Sequence, residues 1–343
     1  MGRLEDRLDA LYRASGRLQT IHLDLTWRCP LDCLHCYLPH KGGSEMTTDE
    51  IRGLLDQAAD LGVFTVGLSG GEVFARPDFV DIVEHARRRH FQVHVKTAGA
   101  FLHRDALDRF CLSRPNLVDI SFYSHEEATH DAVTGRPGSF ASSLATALHL
   151  QAAGIIVQAA VTLLKGYGED AVAIRDGLTR AGILHVGFNE LDESCRPDAH
   201  LGDLRPTEDQ LSRQFALSSG GNRGIPKQAD APLCAAATSS LHIAPDGTVR
   251  PCALLPHVAG NARNTPLCSL WKESPALLRF RGVAWGTLEK CRSCAERLWC
   301  HYCLGKAERL TGDPLVPPGE FCRLARRRRA AGTAPGRPTG GAE

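Results

Sequence analysis

Short apolar runs rich in β-branched residues alternate with longer stretches of helical period between residues 21 and 191. Each strand-and-helix unit takes about 25 to 30 residues. The predicted strands cover residues 21–27, 63–69, 91–97, 117–123, 155–163 and 183–191. The predicted helices cover residues 47–61, 78–90, 104–113, 139–153 and 169–181. This alternation predicts an α/β fold with a parallel sheet and right-handed crossovers, whose functional residues lie at the C-terminal ends of the strands.

The pattern divides the chain into a repetitive part, residues 21–195, and less regular segments around it. Residues 1–20 form a lead-in, and residues 196–230 are a polar linker with one predicted helix near 207–217. Residues 231–323 have weak periodicity and many cysteines, so we expect metal centres to hold this small module together. Residues 324–343 contain an arginine run and a Pro/Gly/Ala-rich end, which predict a disordered tail.

Composition excludes several kinds of partner. With 40 Lys and Arg against 39 Asp and Glu, the chain has no electrostatic bias towards nucleic acid or an anionic membrane. It shows no signal-peptide pattern and no apolar run of about 18 residues, so we expect a cytoplasmic protein. In a reducing compartment its 13 cysteines favour metal ligation over disulfides.

Three of these cysteines follow the first predicted strand within "TWRCPLDCLHCYLP", at Cys29, Cys33 and Cys36. Three thiolates would leave one iron of a 4Fe–4S cluster open to another ligand. A zinc site completed by His35 or His40 is an alternative, as is a group of buried cysteines without a metal. The spacing favours the iron–sulfur interpretation.

The segment "CPLDCLHCY" resembles the signature of the radical S-adenosylmethionine (SAM) enzymes, in which an aromatic residue or His precedes the third cysteine. The segment "LSGGEVFARPDF", after the second strand, is similar to the Gly-Gly-Glu element of that family. The resemblance covers about residues 20–195 and implies a partial (β/α)6 TIM-like barrel. Periodicity alone leaves a doubly wound sheet equally open.

The resemblance also implies roles for individual residues. Gly70, Gly71 and Glu72 would hold the methionine amino group of SAM, because glycines allow close approach and a carboxylate complements an ammonium. Ser121 would contact the ribose, and Arg136 is a candidate for the carboxylate of SAM. The segment "KTAGA" departs from the commoner Thr-Asn-Gly, because Ala98 replaces the Asn.

The chemistry that the family resemblance implies is specific. SAM would chelate the open iron, and an electron from the reduced cluster would cleave it to methionine and a 5'-deoxyadenosyl radical. That radical would take a hydrogen atom from the substrate. A flavodoxin or ferredoxin would be the electron donor.

A second resemblance covers about residues 234–322. The SPASM domain is similar to two segments here, "CAAATSSLHIAPDGTVRPC" and "CRSCAERLWCHYC". One spacing differs, because two residues separate Cys300 from Cys303 where the family pattern has three. The resemblance implies two auxiliary 4Fe–4S clusters, and their ligands are assigned by position in the motif. The first cluster would take Cys234, Cys252 and Cys303, and the second Cys291, Cys294, Cys300 and Cys322.

Some alternatives remain open for this half of the chain. The first auxiliary cluster is one ligand short, which Cys268 or Cys195 could supply, or the position could stay open for substrate. A zinc-ribbon-like module is the alternative to auxiliary clusters, since paired C-x2-C segments also bind zinc. Cys111 lies in a helical pattern and is expected to be a core residue.

Auxiliary clusters favour oxidative outcomes, because they can carry an electron away from a substrate radical. The family resemblance implies crosslinking, dehydrogenation or epimerisation of a ribosomal peptide or protein. Oxidation of a tetrapyrrole or another small molecule is the alternative, and a zinc-bound scaffold is a third hypothesis. Only about 20 residues precede the first strand, so a peptide leader would have to bind a separate recognition protein or be dispensed with. Glu190, Asp192 and Glu193 are candidate acid–base residues, but solvated loop carboxylates are the favoured interpretation.

Overall fold

The computed structural model describes most of the chain, in six ranges: 2–36, 38, 42–167, 170–191, 201–217 and 227–333. Helix α1 (Gly2–Ser15) opens the fold and occupies most of the predicted lead-in. The strands and helices after it follow the predicted alternation. Asp192, Glu193 and Cys195 lie outside the described residues.

All six predicted strands are present, and each pairs in parallel with its sequence neighbour. They are β1 (Thr20–Asp24), β2 (Thr65–Ser69), β3 (Gln92–Thr97), β4 (Leu117–Phe122), β5 (Val157–Thr162) and β6 (His185–Asn189). Within the described ranges β6 is an edge strand, so the sheet does not close on itself. The fold is therefore the partial barrel that the sequence predicted.

The five predicted helices between the strands are also confirmed, to within two residues at each end. They are α2 (Thr48–Asp60), α3 (Phe79–Arg88), α4 (Arg104–Ser113), α6 (Ser139–Ala152) and α7 (Ala171–Arg180). Helix α5 (Glu127–Thr134) was not predicted. Thr47 caps α2 in a capping box with Glu50.

The two faces of the sheet differ in chemistry. On β4, Val118, Ile120 and Phe122 are fully buried, and the ring of Phe122 lies 6.0 Å from that of Phe140 on α6. This face therefore packs against the helices. Side chains alternate along a strand, so Asp119 and Ser121 point to the opposite face. We call this opposite side, lined by the alternate residues of β1 to β7, the inner face.

The cysteine-rich segment adds three strands to the same sheet. Strand β7 (Ser240–Ile243) pairs in parallel with β1, and β8 (Thr248–Arg250) and β9 (Gly260–Asn261) follow antiparallel. The sequence predicts residues 231–323 as a separate module, but they share one sheet with the half-barrel formed by β1 to β6. The apolar core also runs through both parts and includes Leu23 of β1 and Leu241 of β7.

The remaining helices are α8 (Leu201–Leu204), α9 (Glu208–Leu217), α10 (Leu267–Glu273), α11 (Pro275–Arg281), α12 (Leu304–Thr311) and α13 (Gly319–Thr333). Helix α9 confirms the one predicted in the linker. Cys111 on α4 packs partly buried against the core, as expected. No helix of the described ranges has the length and apolar character needed to cross a membrane.

The prediction of a disordered tail from residue 324 is wrong as far as Thr333, where α13 ends. The side chain of Arg328 is almost fully buried and pairs with the carboxylate of Glu190 at the end of β6. Arg327 pairs in the same way with Glu208 on α9. Ion pairs with distant carboxylates therefore order part of the arginine run, and residues 334–343 lie outside the described ranges.

Candidate active site

The loop of Cys29, Cys33 and Cys36 leaves the end of β1 and rests on the glycine pair that follows β2. The amide of Gly71 donates to the carbonyl of Thr26 at 2.8 Å, and the amide of Glu72 donates to that of Arg28 at 2.8 Å. A Cβ on Gly71 would lie 2.2 Å from the Arg28 oxygen, and one on Gly70 would lie 2.7 Å from the Thr26 oxygen. Gly70 also has a φ of +131°. Only glycine fits this close approach of two backbones.

The carboxylate of Glu72 joins the end of β2 to the end of β3. It accepts hydrogen bonds from the Thr97 hydroxyl at 2.5 Å and from the amides of Ala98 at 2.8 Å and Phe74 at 3.2 Å. Burial raises the pKa of Glu72, and these hydrogen bonds oppose that rise. Glu72 therefore holds the loops around the cysteines in place. Ala98 takes part through its backbone amide, so the missing Asn side chain does not remove this contact.

Tyr123 lies between the cysteine loop and Ser121, the candidate for the ribose contact. Its place in the site was not predicted from the sequence. The side chain of Ser121 and the thiol of Cys33 both lie close enough to the Tyr123 hydroxyl to shift its pKa. The ring of His35 meets the Tyr123 ring edge-on, with centroids 4.8 Å apart. Burial, and then the charge of Cys33, raises the pKa of Tyr123. The end of β4 thus brings together Ser121, Tyr123 and two of the three loop cysteines, Cys33 and Cys36.

Helix α5 supports the cysteine loop from the other side. The amides of Asp32 and Leu34 lie 2.8 and 3.0 Å from the carbonyls of Thr134 and Val133 at the end of α5. Because α5 was not predicted from the sequence, its contact with the cysteine loop was not predicted either. The helix places the loop beside β4.

Arg136, the candidate for the SAM carboxylate, also touches the cysteine loop. Its guanidinium donates to the carbonyl of Pro30 at 3.1 Å and stacks 4.6 Å from the ring centroid of Phe101. These contacts position the loop between Cys29 and Cys33. Any contact of Arg136 with SAM stays a prediction.

The C-terminal cysteines form two groups. In the first auxiliary group Cys234, Cys252 and Cys303 interact electrostatically, and burial is the main reason that the pKa of Cys252 rises to about 12. The second auxiliary group brings together four thiols in the same way: Cys291, Cys294, Cys300 and Cys322. That these two groups are the ligand sets of two clusters stays a prediction.

The fourth ligand of the first auxiliary group stays a prediction. Cys268 lies on α10, where the amide of Leu267 donates to the Gln57 side chain of α2 at 2.9 Å. Cys195 lies outside the described residues. As the side chains stand, the part of the chain that the structure describes contains no group of three or more Cys, His, Asp or Glu converging on a single metal ion.

Lys227 stabilises the loop that carries Cys300. Its ammonium donates to the carbonyls of Arg297 at 3.0 Å, Leu298 at 3.1 Å and Cys300 at 2.7 Å. It also lies 5.3 Å from the ring centroid of Trp285. Burial lowers the pKa of Lys227, and the charge of Cys300 opposes that shift. Nothing in the local sequence marks Lys227, because its partners lie about 70 residues further along the chain.

A parallel half-barrel with a three-cysteine loop on a glycine turn, joined to a module with two further cysteine groups, defines a class of iron–sulfur enzymes. Two family models match the chain: the radical SAM superfamily over residues 24–176 and SPASM, an iron–sulfur cluster-binding domain, over residues 234–295. The chain belongs to the radical SAM superfamily and carries a SPASM domain. It is a radical SAM enzyme.

Curated relatives span nearly the whole chain. The PqqA peptide cyclase of Gluconobacter oxydans is 32% identical over 317 residues, which are 84% of this chain and 86% of the relative. The PqqA peptide cyclase of Rhodopseudomonas palustris is 29% identical over 298 residues, 80% of this chain and 78% of the relative.

Solved structures share the fold. Streptococcus suis SuiB bound to S-adenosylmethionine has a TM-score of 0.69 at 14% identity, covering 90% of this chain and 77% of its own. Native anSMEcpe with bound AdoMet has a TM-score of 0.71 at 12% identity, covering 91% of this chain and 96% of its own. At this level of identity the likeness concerns the fold alone.

Proposed function

We propose that this enzyme oxidatively modifies a ribosomally made peptide, by crosslinking or dehydrogenating it. The observation that carries this proposal is the similarity, over 80–84% of this chain, to PqqA peptide cyclases, whose name states that they act on a peptide. It favours a peptide over a tetrapyrrole or another small molecule. Co-expression with candidate peptides identifies which one is the substrate.

The residues around the cysteine loop would bind the first cluster and SAM. Cys29, Cys33 and Cys36 would hold a 4Fe–4S cluster, which fits the position of the loop at the C-terminal end of β1. When bound, the reduced cluster and SAM supply a 5'-deoxyadenosyl radical that removes a hydrogen atom from the substrate.

The SAM contacts would come from the residues that surround this loop. Gly70, Gly71 and Glu72 would hold the methionine amino group of SAM. The two glycines bring the cysteine loop close to the end of β2, and Glu72 fixes the strand ends around it. Ser121 would contact the ribose from β4, and Arg136 would contact the carboxylate while holding Pro30.

The SPASM module would hold two auxiliary 4Fe–4S clusters, one on each auxiliary cysteine group. The four thiols of the second group match a fully ligated cluster, and the three of the first group leave one position open. An auxiliary cluster would accept the electron that remains when the peptide is oxidised. Three clusters correspond to about twelve iron atoms per chain.

We further propose a cytoplasmic enzyme whose reductant is a flavodoxin or a ferredoxin. A separate peptide-recognition protein would bind the leader of the substrate. The near balance of charge supports neither a nucleic acid nor a membrane as a partner.

Anaerobic co-expression with the short reading frames beside the gene tests the proposed function. The peptides are analysed by mass spectrometry, with the Cys29→Ala variant as the inactive control. The expected result is a peptide that has lost two hydrogen atoms, seen only with the active enzyme. A colourless zinc protein that forms no 5'-deoxyadenosine from SAM and dithionite would contradict the proposal.

A further inference from the structure

One row of the inner face is polar across the half-barrel. Register pairs Asp24 with Ser69, and Lys96 with Asp119. Asp119 in turn pairs with Gln158. Side chains in register on adjacent strands lie close enough to interact. These polar side chains therefore lie next to one another on the inner face, on the side of the sheet opposite to the helices.

Asp119 stands out in this row because one of its oxygens is unsatisfied. Its Oδ1 is buried and has no hydrogen-bond partner, although the side chain as a whole is only half-buried. A buried acceptor without a donor is costly, so native structures rarely keep one without a function. Burial raises the pKa of Asp119, and the positive charges of Lys96 and His94 on β3 limit the rise.

The position of Asp119 relates it to the proposed SAM site. Asp119 and Ser121 lie on the same face of β4, two residues and about 6.6 Å apart along the strand. The side chains of Ser121 and Cys33 both lie beside the Tyr123 hydroxyl. A substrate within reach of the SAM ribose would therefore occupy the inner face at the level of Asp119.

We propose that Asp119 is the general base that removes a proton from the peptide radical when the peptide is oxidised, an inference that rests on the proposed function. One hydrogen leaves the peptide as an atom and appears in 5'-deoxyadenosine. A second leaves as a proton to the carboxylate of Asp119, which becomes a neutral carboxyl group. The remaining electron reduces an oxidised auxiliary 4Fe–4S cluster, and the peptide gains one new bond between its atoms.

Other groups of the inner face suit this role less well. The ring of His22 on β1 packs against Gly67 of β2, at least two strands away from β4. Asp24 is already bonded to His242 at 2.9 Å. General bases work best with a pKa near the working pH, and the raised pKa of Asp119 moves towards it.

The Asp119→Asn variant tests the proposal, with the co-expressed peptide of the preceding experiment as substrate. We expect the oxidised peptide to fall about 100-fold or more, while 5'-deoxyadenosine formation continues, so that the ratio of the two products rises. Asp119→Glu should restore part of the peptide product. The exposed Asp60→Asn on α2 is the matched control and should behave as the wild type.

Two results of this experiment would overturn the proposal. One is an unchanged yield of oxidised peptide with Asp119→Asn. The other is a parallel loss of peptide product and 5'-deoxyadenosine, which would make Asp119 a residue that binds SAM or orients substrate.

Infrared titration of the purified enzyme supplies a readout that needs no peptide. The wild-type minus Asp119→Asn difference spectrum reports the carboxyl group of Asp119 itself. The groups beside it are Lys96 and His94 on β3 and the uncharged Gln158 on β5, and His185 on β6 follows next to Gln158. We expect a midpoint above the ordinary value of about 3.9, and a further rise in Lys96→Met.

A midpoint at or below the ordinary value would overturn the role of Asp119 as a base. A wild-type enzyme that modifies no peptide would contradict the proposed function alone, because the titration still decides whether Asp119 is a tuned proton acceptor.

Discussion

Asp24 on β1 and His242 on β7 form a buried hydrogen-bonded pair, in which Oδ2 and Nε2 lie 2.9 Å apart and each side chain is 5% exposed. The two residues are 218 positions apart in sequence. Asp24 belongs to the half-barrel and His242 to the SPASM segment, so the pair joins the two at the seam between β1 and β7.

Removing His242 should destabilise this seam. His242→Ala removes a hydrogen bond from the buried Asp24 carboxylate, which costs about 1–3 kcal/mol of unfolding free energy. Urea unfolding, followed by circular dichroism, measures the difference. The control is His103→Ala, since His103 is exposed and makes no capping hydrogen bond. Equal stability of the two variants would contradict a structural role for the pair.

The regular part of the fold could be predicted because its signals are local. Six strands and five helices follow from apolar spacing, and the Thr47 cap follows from its own sequence. Strand β7 could not be predicted, because four residues within a cysteine-rich segment carry little periodicity and their pairing with β1 is non-local. Helix α5 was missed for a similar reason, since only a few of its eight residues are buried.

Charged residues were predicted less well than apolar ones. Glu190 was interpreted as a solvated carboxylate, and that interpretation is wrong, because it pairs with Arg328 and lies 3.6 Å from the ammonium of Lys306. The partners of Glu190 lie more than 100 residues away, where no local pattern points to them. The cysteine ligand sets came from a family motif, whereas Asp119, Tyr123 and Lys227 emerged only from the three-dimensional arrangement.

The glycine pair can be tested without knowing the substrate. In Gly71→Ala the new methyl group would lie 2.2 Å from the carbonyl oxygen of Arg28, so the cysteine loop must move. We expect 5'-deoxyadenosine formation from SAM and dithionite to fall at least about 10-fold, because small displacements of reacting groups cost 10- to 100-fold in rate.

Gly53→Ala is the matched control for that substitution. Gly53 lies within α2, and a Cβ there meets no atom within 4 Å. The change should stabilise the protein by about 0.5–1 kcal/mol and leave SAM cleavage intact. If the two variants cleaved SAM at the same rate, the glycine pair would not position the cysteine loop.

Lys227 provides a test of the second auxiliary group. In Lys227→Met three carbonyls around Cys300 lose their common donor, and the loop should no longer hold a cluster. We expect the iron content to fall from about twelve to about eight atoms per chain, while 5'-deoxyadenosine formation is retained. Iron analysis and electron paramagnetic resonance measure this loss. Lys272→Met, at an exposed position of α10, should keep all the iron, and full iron in Lys227→Met would refute this role.

Asp131 predicts how stability depends on pH. Its carboxylate lies at the N-terminus of α6, where it accepts from the Ser139 hydroxyl at 2.7 Å and from the amides of Phe140 at 2.8 Å and Gly138 at 2.5 Å. Although burial opposes the shift, these hydrogen bonds lower the pKa of Asp131. A lowered pKa means that the ionised form stabilises the fold, and a helix N-terminus favours that charge.

We therefore expect Asp131→Asn to cost about 1–2 kcal/mol at pH 7. The stability contributed by Asp131 is fully present above its unfolded pKa of about 3.9 and is lost as the pH falls through its lower folded pKa. Urea unfolding of both proteins from pH 7 to pH 3 should show the difference shrinking below about pH 4. Asp105→Asn, in the first turn of α4, is the exposed control. A difference that grew as the pH fell would mean that burial, and not the helix N-terminus, governs the Asp131 carboxylate.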